Sequence, residues 1–122
     1  MKRRYDVVIV GCGVAGCFTA LHLPKDQKIL MITKSALEES DSFLAQGGIC
    51  VLKTPEDYES FFEDTLKAGH YENRRASVDH MIRSSRDIIN ELIAYGVEFA
   101  QVDGGLVYTR EAAHSTNRIL YH

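Results

Sequence analysis

The chain has 122 residues, enough for one domain with its own core. Hydrophobic residues make up 45% and charged residues 25%, the balance of an ordinary globular protein. A net charge of −3 argues against nucleic acid as the main partner, because phosphate binding asks for a basic face.

Lys2-Arg3-Arg4 before an apolar run imitates a secretory leader, but Asp6 interrupts the junction. The run itself, Val7, Val8, Ile9 and Val10, has the pattern of a strand buried on both faces of a parallel sheet. Gly11-x-Gly13-x-x-Gly16 follows without a gap, and residues 15–23 read as a helix that Pro24 stops. A strand, a glycine turn and a helix in that order make a dinucleotide-binding fingerprint. Gly11 permits the tight turn, Gly13 lets the backbone approach a pyrophosphate, and Gly16 lets the helix pack on the strand. Free N–H groups at the helix start then face anionic phosphates. The competing reading is an ordinary glycine-rich turn. Cys12 lies in this loop, either activated by the helix start or, more simply, as a small residue in a crowded turn.

Residues 28–33, KILMIT, form the second strand of a β-α-β unit. Dinucleotide sites usually place an acid about 20 residues past the glycines to hold a ribose hydroxyl. Thr33-Lys34 stands there instead, compatible with an adenosine held by Lys34 and backbone, or with no ligand. Residues 35–42 are polar and loop-like. In Phe43-Leu44-Ala45-Gln46-Gly47-Gly48-Ile49 the paired glycines suit either a backbone passing a flat, bulky group or a plain turn between strands.

Residues 55–69 form a helix, with Thr54 as N-cap and Glu56, Asp57 and Glu59 at its positive end. Residues 73–95 form a longer one. Val78, Met81, Ile82, Ile88, Ile89, Leu92 and Ile93 make its apolar stripe, and Gly96 ends it. His80 is a boundary histidine, and the arginines at 74, 75, 83 and 86 read as a solvated face. Residues 97–100 and 106–109 read as a hairpin around Asp103-Gly104-Gly105. The Arg110, Glu111, His114 and Ser115 that follow are a candidate site. Cys12, Cys17 and Cys50 make no CxxC pair, so neither a disulfide framework nor a metal site is expected, and a reducing cytoplasm fits. No segment reaches the ~18 apolar residues of a membrane span, so no membrane partner is expected either.

DVVIVGCGVAG, ITKS, DSFLAQGGI, EDTLKAGH and LVYTREAAHSTNRILYH, in this order, resemble the N-terminal part of the aspartate oxidase branch of the succinate dehydrogenase/fumarate reductase flavoproteins. The resemblance implies an α/β, Rossmann-like FAD-binding domain with a parallel sheet, incomplete here, with two long helices after AQGG. Residues 1–122 would be its N-terminal part, and the capping domain and the remainder of the FAD domain would lie outside the chain. It implies FAD held at Gly11, Cys12, Gly13, Val14, Ala15 and Gly16, with Lys34 in place of the ribose acid. Asp41, Ser42, Phe43, Leu44, Ala45, Gln46, Gly47 and Gly48 would run along the flavin. Glu111 would orient the substrate by meeting its ammonium group, and His114 receives no step. Asp41 stands where the dehydrogenases carry a flavin-linking histidine, so the FAD would be non-covalent. The implied reaction is oxidation of L-aspartate to iminoaspartate with oxygen or fumarate as acceptor, the first step of de novo NAD biosynthesis, which would link it functionally to quinolinate synthase. A fumarate reductase-like enzyme, a non-catalytic nucleotide-binding module and a fragment that binds nothing are the alternatives.

Overall fold

The computed structural model describes residues 3–122 and divides into two compact units, one ending at Gln46 and the other spanning Gly47–His122.

In the first unit β1 (Val7–Val10) lies parallel to β2 (Ile29–Ile32), with Val7 opposite Ile29 and Val10 opposite Ile32. The strands start in register because the Lys28 N–H donates to the Asp6 carboxylate at 2.9 Å. Helix α1 (Val14–His22) connects them and ends at Leu23, before Pro24. The β-α-β reading therefore holds, but the expected burial of β1 on both faces does not. Val7 and Ile9 are half-buried, whereas Val8 is 55% and Val10 80% exposed. Four consecutive apolar residues do not reveal which faces this chain itself covers.

Residues 35–42 are not simply a loop. A 3₁₀ turn (Leu37–Glu39) leads into α2 (Asp41–Leu44), whose N-cap is Ser40: its hydroxyl accepts from the Phe43 N–H at 3.2 Å. Serine and aspartate at helix starts were the missed signal here.

In the second unit β3 (Ile49–Cys50) pairs antiparallel with β6 (Ile119–Leu120). Between them come α3 (Tyr58–Ala68), opened by a 3₁₀ turn at Pro55–Asp57, and α4 (Arg75–Ala94). Thr54 makes no side-chain cap to the helix backbone. It hydrogen-bonds Glu56 instead, and together with the Glu56 backbone holds that carboxyl below its usual range. Gly96, at φ +96°, takes the left-handed turn expected after α4.

Two apolar clusters hold this unit. Phe61, Leu66, Val78 and Ile82 join α3 to α4, and Val51, Ile89 and Leu120 join α4 to the sheet. Met81 and Ile93, expected in the α4 stripe, are 44% and 40% exposed. The hairpin is shorter than expected and shifted on its first arm: β4 (Gln101–Val102) and β5 (Gly105–Leu106) flank a turn with Asp103 at φ +51° and Gly104 at φ +77°.

Candidate functional site

In the first unit a cleft of about 630 Å³ opens at the carboxyl ends of β1 and β2. Gly11, Cys12 and Gly13 line one side, Thr33 and Lys34 another, and Ser40, Asp41 and Ser42 a third. Ligands of open α/β sheets bind at this end of the strands. The sequence accounts for each wall. Gly11 sits at φ +104°, a conformation that strains a residue with a side chain. A Cβ on Gly16 would run into the Gly11 carbonyl oxygen and lie 3.3 Å from the Ile9 side chain. That contact explains why the helix closes on the strand only with glycine there.

Ser42 reaches the same turn from 28 residues away. The Val14 N–H donates to its Oγ at 3.0 Å, and a Cβ on Gly13 would stand 3.0 Å from that same oxygen. The helix start thus meets the Ser42 hydroxyl, which modifies the expectation that all its first N–H groups await phosphate. Cys12 is buried, consistent with a small residue packed in the turn. A glycine-floored cleft with a lysine and a serine on its rim fits the pyrophosphate and adenosine end of a dinucleotide.

The remaining expected residues fall elsewhere. Phe43 and Leu44 are 66% and 64% exposed, and neither they nor Ala45 and Gln46 line the cleft. Gly47, Gly48 and Glu111 belong to the second unit. Gly47 lies at φ +126°. A Cβ on Gly48 would collide with the Ile119 side chain and the Leu120 carbonyl, so β6 alone accounts for the glycine there. Glu111 is exposed, and its carbonyl accepts from the His114 N–H at 3.3 Å, closing a turn in which Ala113 adopts φ +69°.

Sequence reading missed the most densely hydrogen-bonded residue of this block. Arg118 is fully buried. Its Nε and Nη2 donate to the two Asp57 oxygens at 3.0 and 2.7 Å, and Nη2 also reaches Ser60 Oγ at 2.8 Å. Nη1 donates to Asp64 Oδ2 at 2.6 Å and lies 3.1 Å from His114 Nδ1. The guanidinium also covers the Phe61 ring, 4.8 Å from its centroid. Burial pushes the Asp57 carboxyl up, but hydrogen bonds from Arg118, Ser60 and Thr116 outweigh it and hold the carboxyl below its usual range. Asp64 behaves likewise, with the Ser115 backbone, Arg118 and the Ser115 hydroxyl opposing burial. The spacing of Asp57 and Asp64, seven residues apart on one helix face, was the available signal. Burial also pushes the Cys50 thiol up, Glu111 adding in that direction and Arg118 opposing it. Among the described residues no group of three or more His, Cys, Asp or Glu is arranged to hold a metal. Nor, among the described residues, is any helix long and apolar enough to cross a membrane.

The sequence matches the FAD binding domain family over residues 6–122, and the chain belongs to that family. Its relatives and structural neighbours place it among the succinate dehydrogenase/fumarate reductase flavoproteins. It is 49% identical to L-aspartate oxidase of Clostridium perfringens over 122 residues, which is 100% of this chain and 28% of that protein. It is 45% identical to L-aspartate oxidase of Clostridium acetobutylicum, covering 99% of this chain and 28% of that protein. The chain therefore spans little more than a quarter of these relatives. Among solved structures, E. coli quinol fumarate reductase matches with a TM-score of 0.86 at 25% identity, over 95% of this chain and 21% of that one. Mycobacterium smegmatis Sdh1 shares the fold, with a TM-score of 0.83 at 24% identity, over 99% of this chain and 21% of that one. FAD is accordingly the cofactor that the family and these relatives indicate.

Proposed function

We propose that this chain supplies the cofactor-binding segment of an L-aspartate oxidase, which converts L-aspartate to iminoaspartate with oxygen or fumarate as electron acceptor. The observation that carries the reading is 49% identity over a match of 122 residues, a span that takes in both the glycine loop and the Glu111 block. FAD, when bound, supplies the two-electron acceptor. The chain's own residues bind and orient. Gly11, Gly13 and the α1 start admit the phosphates, Ser42 fixes the turn beneath them, and Lys34 holds the adenosine end. Phe43, Leu44, Ala45, Gln46, Gly47 and Gly48 run along the flavin. The exposed Glu111 carboxylate accepts hydrogen bonds from the substrate ammonium, a group that succinate lacks, and so selects an amino acid over a plain dicarboxylate. The product imine makes the enzyme an early step of NAD biosynthesis, feeding quinolinate synthase.

Asp41 replaces the flavin-linking histidine of the dehydrogenase branch, so the FAD is held without a covalent bond. Acid precipitation of the FAD-loaded protein tests this. All flavin absorbance is expected in the supernatant, and colour retained in the pellet refutes it. Peroxide formation from L-aspartate, with none from succinate, tests the substrate. The fold match to quinol fumarate reductase favours a second reading, a fumarate reductase-like enzyme. Oxidation of succinate in preference to L-aspartate would establish that one instead.

A further inference from the structure

We propose that Arg118 is a positioning residue that fixes the turn from Glu111 to Ser115 and sets the proton of His114 on Nε2. A guanidinium has donors only. Its Nη1 lies 3.1 Å from His114 Nδ1, so Nδ1 is the acceptor, the ring is neutral and the proton sits on Nε2. The Phe61 ring holds the imidazole from another side, edge-on with centroids 5.9 Å apart.

The same arginine holds the backbone of the turn. Asp64 Oδ2 takes Arg118 Nη1 at 2.6 Å together with the Ser115 N–H and Oγ, both at 2.7 Å. One carboxylate oxygen thus ties the end of the turn to the buried guanidinium. The turn needs such a tie, because Ala113 at φ +69° is strained for a residue with a Cβ. Strain of this kind persists only where the surroundings over-determine it. Within the turn Arg118 meets the half-buried His114 side chain, and it acts on Glu111 only through the backbone between them.

The consequence is a division of roles along five residues. Glu111 is an acceptor, and His114 is a donor through Nε2–H. His114 also lines a cleft of about 440 Å³ with Lys67, His70 and Ser115. An acceptor such as a carboxylate is the ligand chemistry that this donor takes. The assignment of that carboxylate to an amino-acid substrate rests on the aspartate oxidase reading. The tautomer does not.

The test is nitrogen NMR of the histidine rings in the labelled chain at about pH 8.5, above the histidine range. His114 is expected as a single Nε2–H tautomer, with a scalar coupling across the hydrogen bond from Arg118 Nη1 to His114 Nδ1. A proton on Nδ1, or averaging between the two tautomers, overturns the proposal. Arg118→Lys is expected to produce that averaging while the amide signals of Val78 and Ile82 stay in place. If the variant unfolds, the wild-type spectrum still decides. In the FAD-loaded enzyme the same variant is expected to raise KM for L-aspartate roughly ten- to a hundredfold at wild-type FAD content. An unchanged KM overturns the positioning role. A wild-type enzyme that leaves L-aspartate unoxidised refutes the aspartate oxidase reading instead, and the NMR result then stands alone for Arg118.

Discussion

Replacing Asp57 with asparagine leaves Arg118 in the interior with half its charge compensation removed. The native guanidinium makes two hydrogen bonds to Asp57, at 3.0 and 2.7 Å, and one to Asp64 at 2.6 Å. Arg118 has no exposed surface, while the side chains of Asp57 and Asp64 are 12% and 17% exposed. Stripping the partner from a fully buried charge costs about 3–5 kcal/mol. Asparagine retains one acceptor and Asp64 remains, so the expected loss is about 2–3 kcal/mol at neutral pH. Urea unfolding followed by helical circular dichroism, carried chiefly by α3 and α4, measures it. The pH dependence gives a second check. Both carboxyls are held below their usual range in the folded chain. Their contribution is therefore fully present above the unfolded carboxyl value, about pH 4, and is lost as pH falls through the depressed folded values. Wild type and Asp57→Asn should accordingly converge on acidification. A neutral-pH loss under about 1 kcal/mol, or a gap that persists in acid, refutes the reasoning.

Ser42→Ala removes the acceptor that meets the Val14 N–H, and FAD affinity should fall roughly three- to tenfold in a flavin-fluorescence titration, the scale of a lost helix cap. Gly48→Ala forces a Cβ against Ile119 and the Leu120 carbonyl, and should cost about 1–3 kcal/mol of the second unit's stability in the same urea assay. Glu111→Gln should raise KM for L-aspartate in the FAD-loaded enzyme by roughly tenfold or more, because the ammonium loses a charged acceptor. With a disulfide reagent near neutral pH, exposed Cys17 should react first, and Cys50, whose thiol burial raises, should lag behind it.

The glycine loop was legible because each glycine answers a local steric demand that the sequence states outright: a positive φ at Gly11 and a helix–strand contact at Gly16. Helix limits were legible within a few residues for the same reason, since Pro24 and Gly96 act locally. Arg118 was not legible. An arginine three residues after a serine reads as surface, and only the return of β6 to β3 brings it beneath α3. Asp57 was correspondingly assigned to the helix dipole, a local role, when its larger partner lies 61 residues away. One of the paired glycines answers a distant steric demand as well. A flat ligand was one reading for Gly48, yet packing on β6 already requires it.

These contrasts separate two kinds of site-building. The cleft at the α1 start is assembled from the glycine turn, the end of β2 and the segment around Ser42, and its floor is backbone and missing Cβ atoms. Such a site tolerates most side-chain changes and fails at its glycines. The Glu111–Ser115 turn is held from beneath by side chains from three places, α3, the turn itself and the approach to β6. It depends on charge being satisfied away from water, so it fails when one buried partner is removed even though the exposed Glu111 is untouched. If substrate choice resides in that turn, the residues that control it most strongly are ones the substrate never meets, and substitutions at Asp57 or Asp64 should shift KM for L-aspartate while FAD binding at the glycine cleft stays intact.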